Sequence, residues 1–105
     1  MNEVEWRHIR ETAAGLDRLV PRIAAVMRKV ERPADFQRLS DLLKPAERFL
    51  IDAGSIMSRA KPDEPELRET ADRFMRELPR RLRMVREAQA VPPPLSRSQY
   101  FARTG

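Results

Sequence analysis

The sequence predicts an all-α protein, an antiparallel three-helix bundle with proline-kinked helices and an extended tail, and three observations predict it. Apolar residues recur at helical spacing through three long segments, prolines rather than glycine turns separate those segments, and glycine occurs only 3 times. No stretch shows the β-branched alternation of a strand. Three amphipathic helices joined by short connections pack up-down-up, here over residues 1–91, leaving residues 92–105 as a proline-rich tail.

The first helix is expected over about residues 2–31. Asn2 and Glu5 have the spacing of a capping box, in which the Asn side chain accepts an orphan backbone N–H and the Glu reaches back. Ile9, Leu16, Ile23 and Val30 recur every seven residues. Trp6, Ala13, Leu19, Val20, Val26 and Met27 fill and widen that stripe, and "ERPAD" ends it.

The second helix is expected over about 35–60, with Asp35 as its cap. Phe36, Leu39, Leu43, Ala46, Leu50, Ala53, Met57 and Ala60 alternate three and four apart, a coiled-coil seam. Leu42, Phe49 and Ile56 lie beside the seam and predict a buried face wide enough for two neighbours.

The third helix is expected over about 63–91, begun by Asp63 and Glu66 in a second capping-box pattern with prolines in its first turn. Leu67, Ala71, Phe74, Met75, Leu78, Leu82, Val85 and Ala88 form its apolar stripe. Pro92, Pro93 and Pro94 stop it, because the residue before a proline is steered out of helical geometry.

Each helix carries an interior proline: Pro21, Pro45 and Pro79. The heptad phase passes through Pro45 without a slip, so kinked continuous helices are expected rather than breaks. Counting along an up-down-up path puts all three prolines at a height of roughly 25 Å. They would then form one layer in which the bundle bends in concert and exposes backbone carbonyls.

The formal net charge is +5, and all of the excess lies at one end. Residues 1–78 carry 15 basic and 15 acidic side chains, whereas residues 79–105 carry six arginines against Glu87 alone. Within the third helix, Glu64/Arg68, Glu69/Arg73, Asp72/Arg76 and Glu77/Arg81 are acid-first pairs four apart that stabilise an exposed helix. Beyond Pro79 the arginines outnumber their partners. Arg80, Arg83 and Arg86 therefore make a candidate contact surface, although cations also suit the C-terminal end of a helix dipole. Only Lys29, Lys44 and Lys61 of the 21 basic residues are lysines, which we read first as genome composition and only second as selection for anion binding.

Several chemistries find little support. There is no cysteine, so disulfides and thiolate chemistry are excluded, and one histidine cannot build a multi-histidine metal site. The start "MNEVEWRHIR" lacks the pattern of a secretory signal and no apolar run approaches the ~20 residues needed to span a bilayer, so a cytoplasmic protein without membrane insertion is expected. His8, in "WRHIRETAAGLDRL", invites comparison with histidine phosphotransfer bundles but is not followed by that family's lysine–glycine pair. Acid pairs such as Asp63/Glu64 belong to a helix start, and Met27, Met57, Met75 and Met84 lie on or beside the apolar stripes. Neither enzyme activity nor a cofactor is expected.

The tail reads as a spacer followed by an anchor. Val91 to Leu95 suit a stiff polyproline conformation. Ser96 and Gln99 then form a capping box, with Leu95 and Tyr100 as its hydrophobic staple. So short a helix needs a surface on which to form, on the chain's own bundle or on another chain, and Leu95, Tyr100 and Phe101 with Arg97 are the side chains to make the contact. The function expected is thus a protein-binding adaptor or small subunit that meets an acidic partner through Arg80, Arg83, Arg86, Leu95, Arg97, Tyr100 and Phe101. Nucleic-acid binding through the same basic region is the second reading and histidine phosphotransfer the last. The wide apolar stripes also leave room for self-association.

Overall fold

A computed structural model describes residues 3–59 and 63–94. It contains α1 (Glu3–Lys29), α2 (Pro33–Arg59) and α3 (Pro65–Gln89), each packed against both others in a three-helix bundle. Asn2, Ala60 and residues 95–105 lie outside the described residues, and with them the expected Asn2 cap, the end of the α2 seam and the Ser96–Gln99 capping box.

The helix starts differ from expectation. Proline, not an acid, opens α2 and α3, because its fixed φ suits the first turn and its missing N–H would have had no partner there. The carbonyls of Arg32 and Glu64 accept the first helical bonds, from the N–H groups of Phe36 and Arg68, each at 3.0 Å. Asp35 therefore sits inside the first turn of α2 rather than capping it, where its charge still complements the helix dipole. Glu64, not Asp63, is the N-cap of α3, and its side chain makes no capping bond. At the other end, the N–H of Val91 turns back to the carbonyl of Ala88 at 3.2 Å. Val91 is buried although it lies past the helix, so the core continues into the tail.

The core follows the predicted stripes. Trp6, Val20, Met27, Leu43, Leu50 and Val85 are almost wholly excluded from solvent, and Phe36 and Phe74 join them. Of the side chains expected to fill or broaden the stripes, Trp6, Ala13, Val20 and Met27 are buried and Phe49 is half-buried, whereas Leu19, Val26, Leu42 and Ile56 are exposed. Three helices close around a narrow axis, so these four positions at the edge of the stripes face outward.

All three helices run unbroken through their prolines. Pro21, Pro45 and Pro79 are exposed, so each lost helical bond lies away from the core. The proline layer does not form. Leu78 packs at Gly54, where a Cβ would lie 2.6 Å from its Cδ2, while Arg86 and Gln89 reach Glu47. Pro79 consequently stands beside a point on α2 nine residues from Pro45, or about 13 Å of helix rise. The fit of Leu78 against a side-chain-free position fixes this register, and counting along the chain cannot anticipate it.

Candidate functional site

The arginines of α3 are the first place to look, and tertiary structure changes their meaning. Arg81 is buried. Its Nε and Nη2 donate to the two carboxylate oxygens of Asp17 on α1, at 3.2 and 3.1 Å, and its Nη1 meets Glu77 at 2.9 Å. A guanidinium excluded from water requires such complete pairing, so Arg81 is a structural clamp rather than one half of an exposed helical pair. Arg80 shares Asp17 at 3.5 Å. Arg86 approaches Glu47 of α2 at 3.7 Å, and the Gln89 amide donates to the other oxygen of the same carboxylate at 2.7 Å.

Acids from α1 and α2 thus answer much of the charge that looked unbalanced along α3. Among the predicted contact residues, Arg83 makes no ion pair among the described residues and is exposed. Arg80 and Arg86 are exposed but engaged, and Leu95, Arg97, Tyr100 and Phe101 lie outside the described residues. Sequence reasoning missed Asp17 and Glu47. The available signal was that each adjoins a buried seam residue, Leu16 and Ala46 respectively, at a bundle edge where a long cation can reach.

Among the depressions on the surface of the described residues, two are lined mainly by apolar side chains. The first runs along α3, where half-buried Met75, Leu78 and Leu82 line a groove of about 630 Å³ edged by Arg83, Arg86 and Glu87 and reaching Ala90. The second, of about 370 Å³, lies between α1 and α2 on the side away from α3. Leu16, Leu19, Ile23, Leu42, Pro45 and Phe49 line it.

His8 is exposed and makes no hydrogen bond or ion pair among the described residues. No cluster of His, Cys, Asp or Glu among the described residues could hold a metal ion, and no described helix is long and apolar enough to cross a membrane. The hydrogen bond from Gln37, then Lys44, hold the Asp41 carboxyl below its ordinary pKa. No family model, characterised protein or solved structure matches the chain.

Proposed function

We propose that the chain is a non-catalytic protein interaction module, an adaptor or small subunit of a larger assembly, that meets its partner along the outer strip of α3 and through the tail. The observation that carries this reading is the groove of Met75, Leu78 and Leu82 with Arg83 and Arg86 on its rim, leading toward the residues where the tail departs. An apolar trough edged by Arg83, Arg86 and Glu87, of which Arg83 makes no ion pair among the described residues, suits an amphipathic helix that sets an acid against Arg83: the apolar face supplies affinity and the charge sets register. The tail's Leu95, Tyr100 and Phe101 would add aromatic anchors beyond the groove.

The pairing pattern weighs against nucleic acid as the partner. Phosphate binding draws on arginines able to release counterions, whereas Arg81 is buried and Arg80 and Arg86 already face carboxylates.

Affinity capture from the native source tests the proposal, comparing the intact chain with Arg83→Glu and with a chain ending at Pro94. The cut belongs there because Val91 is part of the core. A protein retained by the intact chain and lost from both variants is the expected result. An unchanged partner list overturns the assigned surface, and nucleic acid alone, released steeply by salt, would replace this reading with the second.

A further inference from the structure

The face of α1 and α2 turned away from α3 carries the exposed Leu19 and Leu42, which line the groove between these helices, and Val26 and Ile56, one heptad or two further along the same helices, are exposed as well. Its pattern is self-complementary. Along α1 the outward positions His8, Thr12, Gly15, Leu19, Arg22 and Val26 alternate four and three apart, a heptad seam distinct from the buried one. They are symmetric about Asp17, so an antiparallel second α1 would set Gly15 against Leu19, Thr12 against Arg22 and His8 against Val26. Gly15 offers space for the leucine, since nothing lies within 4 Å of where its Cβ would be.

The same symmetry holds on α2. A centre between Pro45 and Ala46 sets Leu42 against Phe49, and brings Asp41 within a turn of Arg48 and Arg38 within a turn of Asp52. On the flank of α1 turned from α2, Glu11 likewise falls beside Arg22. The two centres lie at one height: Asp17 is twelve residues before the end of α1 and Pro45 twelve after the start of α2, each about 18 Å from the connection. A single two-fold axis therefore serves both helices. Glu11, Arg22, Arg38, Arg48 and Asp52 are exposed and make no ion pair among the described residues.

We propose that a second copy of this chain covers the α1/α2 face, in an isologous antiparallel dimer whose two-fold axis crosses α1 at Asp17 and α2 beside Pro45. The face is two helices wide and about 40 Å long, on the order of 800 Å² per partner, the size a specific interface needs. Leu19 seats over Gly15, Leu42 meets Phe49, and charges of opposite sign line both rims. The dimer leaves the α3 strip free and stands independently of the interaction-module reading.

Sedimentation equilibrium of the full chain tests it, with circular dichroism to confirm that each variant stays folded. At about 100 µM the expected mass is twice the 12.2 kDa of one chain. Leu19→Glu with Leu42→Glu, both at exposed positions, should weaken self-association by roughly 100-fold. Glu11→Arg and Arg22→Glu should each weaken it by roughly 10-fold and restore it when combined in one chain, as only an interface that opposes these two positions allows. A monomer overturns the proposal, and one that binds a hydrophobic dye only after removal of residues 95–105 identifies the tail as the occupant instead. A dimer indifferent to the leucine and charge variants also overturns it. Partner capture through Arg83 is read separately, so failure of either idea leaves the other measurable.

Discussion

Arg81 and Asp17, 64 residues apart in sequence, face each other through two nearly parallel hydrogen bonds of 3.2 and 3.1 Å that tie α3 to α1. The pair is asymmetric in burial. The Arg81 side chain is 8% exposed and that of Asp17 28%, with Arg80 still beside the carboxylate. Removing the acid leaves the buried cation with Glu77 alone, whereas removing the cation leaves a part-exposed acid that keeps a second arginine.

Asp17→Ala should therefore lower the free energy of unfolding by about 2–4 kcal/mol, the range for breaking a buried pair, softened by the remaining contact to Glu77. Arg81→Met, which fills the same space without charge, should change it by less than about 1 kcal/mol. Urea titrations of both variants check the contrast, and equal losses would contradict the burial argument.

Gly15→Ala should stabilise α1 by about 0.5–1 kcal/mol, since alanine is the better helix former and the added Cβ meets nothing. Thermal unfolding at low protein concentration reads the gain in the isolated chain. Gly15→Phe should be tolerated by the isolated chain yet obstruct the proposed self-association, separating folding from assembly at one position.

At Gly54 the expected sign reverses. An added methyl must displace Leu78, so Gly54→Val, which is bulky and β-branched, should cost about 2 kcal/mol or more. A paired Leu78→Ala change should recover part of that loss, and a double-mutant cycle measures the coupling.

Pro45→Ala should raise stability by about 1–2 kcal/mol. It restores a helical N–H, worth up to about 3 kcal/mol at an interior position, against the smaller entropy that proline removes from the unfolded chain. Hydrogen exchange of the backbone amide that this substitution introduces checks that its new bond to the Asp41 carbonyl forms.

Lowering the pH should cost a little stability through Asp41. Its folded pKa lies below the ordinary 3.8, so its contribution is present above that value and fades as pH falls through the folded one. Gln37→Ala removes the largest cause of the displacement, and an NMR titration of the Asp41 carboxyl should then show its midpoint rising.

Much of the fold is legible in the sequence because helical periodicity is local. The spacing of Leu43, Leu50 and Met57, or of Phe74, Val85 and Ala88, marks the buried side of each helix without reference to a neighbour. Continuity through Pro45 is legible for the same reason, since the heptad phase does not slip. The caps were less so: proline at the first helical position and an acid in the first turn both suit a helix start, and the backbone chose proline to begin.

The candidate site was legible only in part. Arg83 lies exposed at the C-terminal end of α3 as expected, but Arg81 looked like one more exposed arginine until Asp17 came within reach.

Three helices, the apolar stripe of each and a charge excess late in the chain follow from the order of residues alone, because composition and spacing are local properties of the chain. How far α3 slides along α2, which arginines hold the bundle together and which apolar residues remain outside are settled by packing between helices. Those outcomes depend on side chains meeting across long separations, Leu78 with Gly54, Arg81 with Asp17 and Arg86 with Glu47, and no local pattern encodes such a meeting.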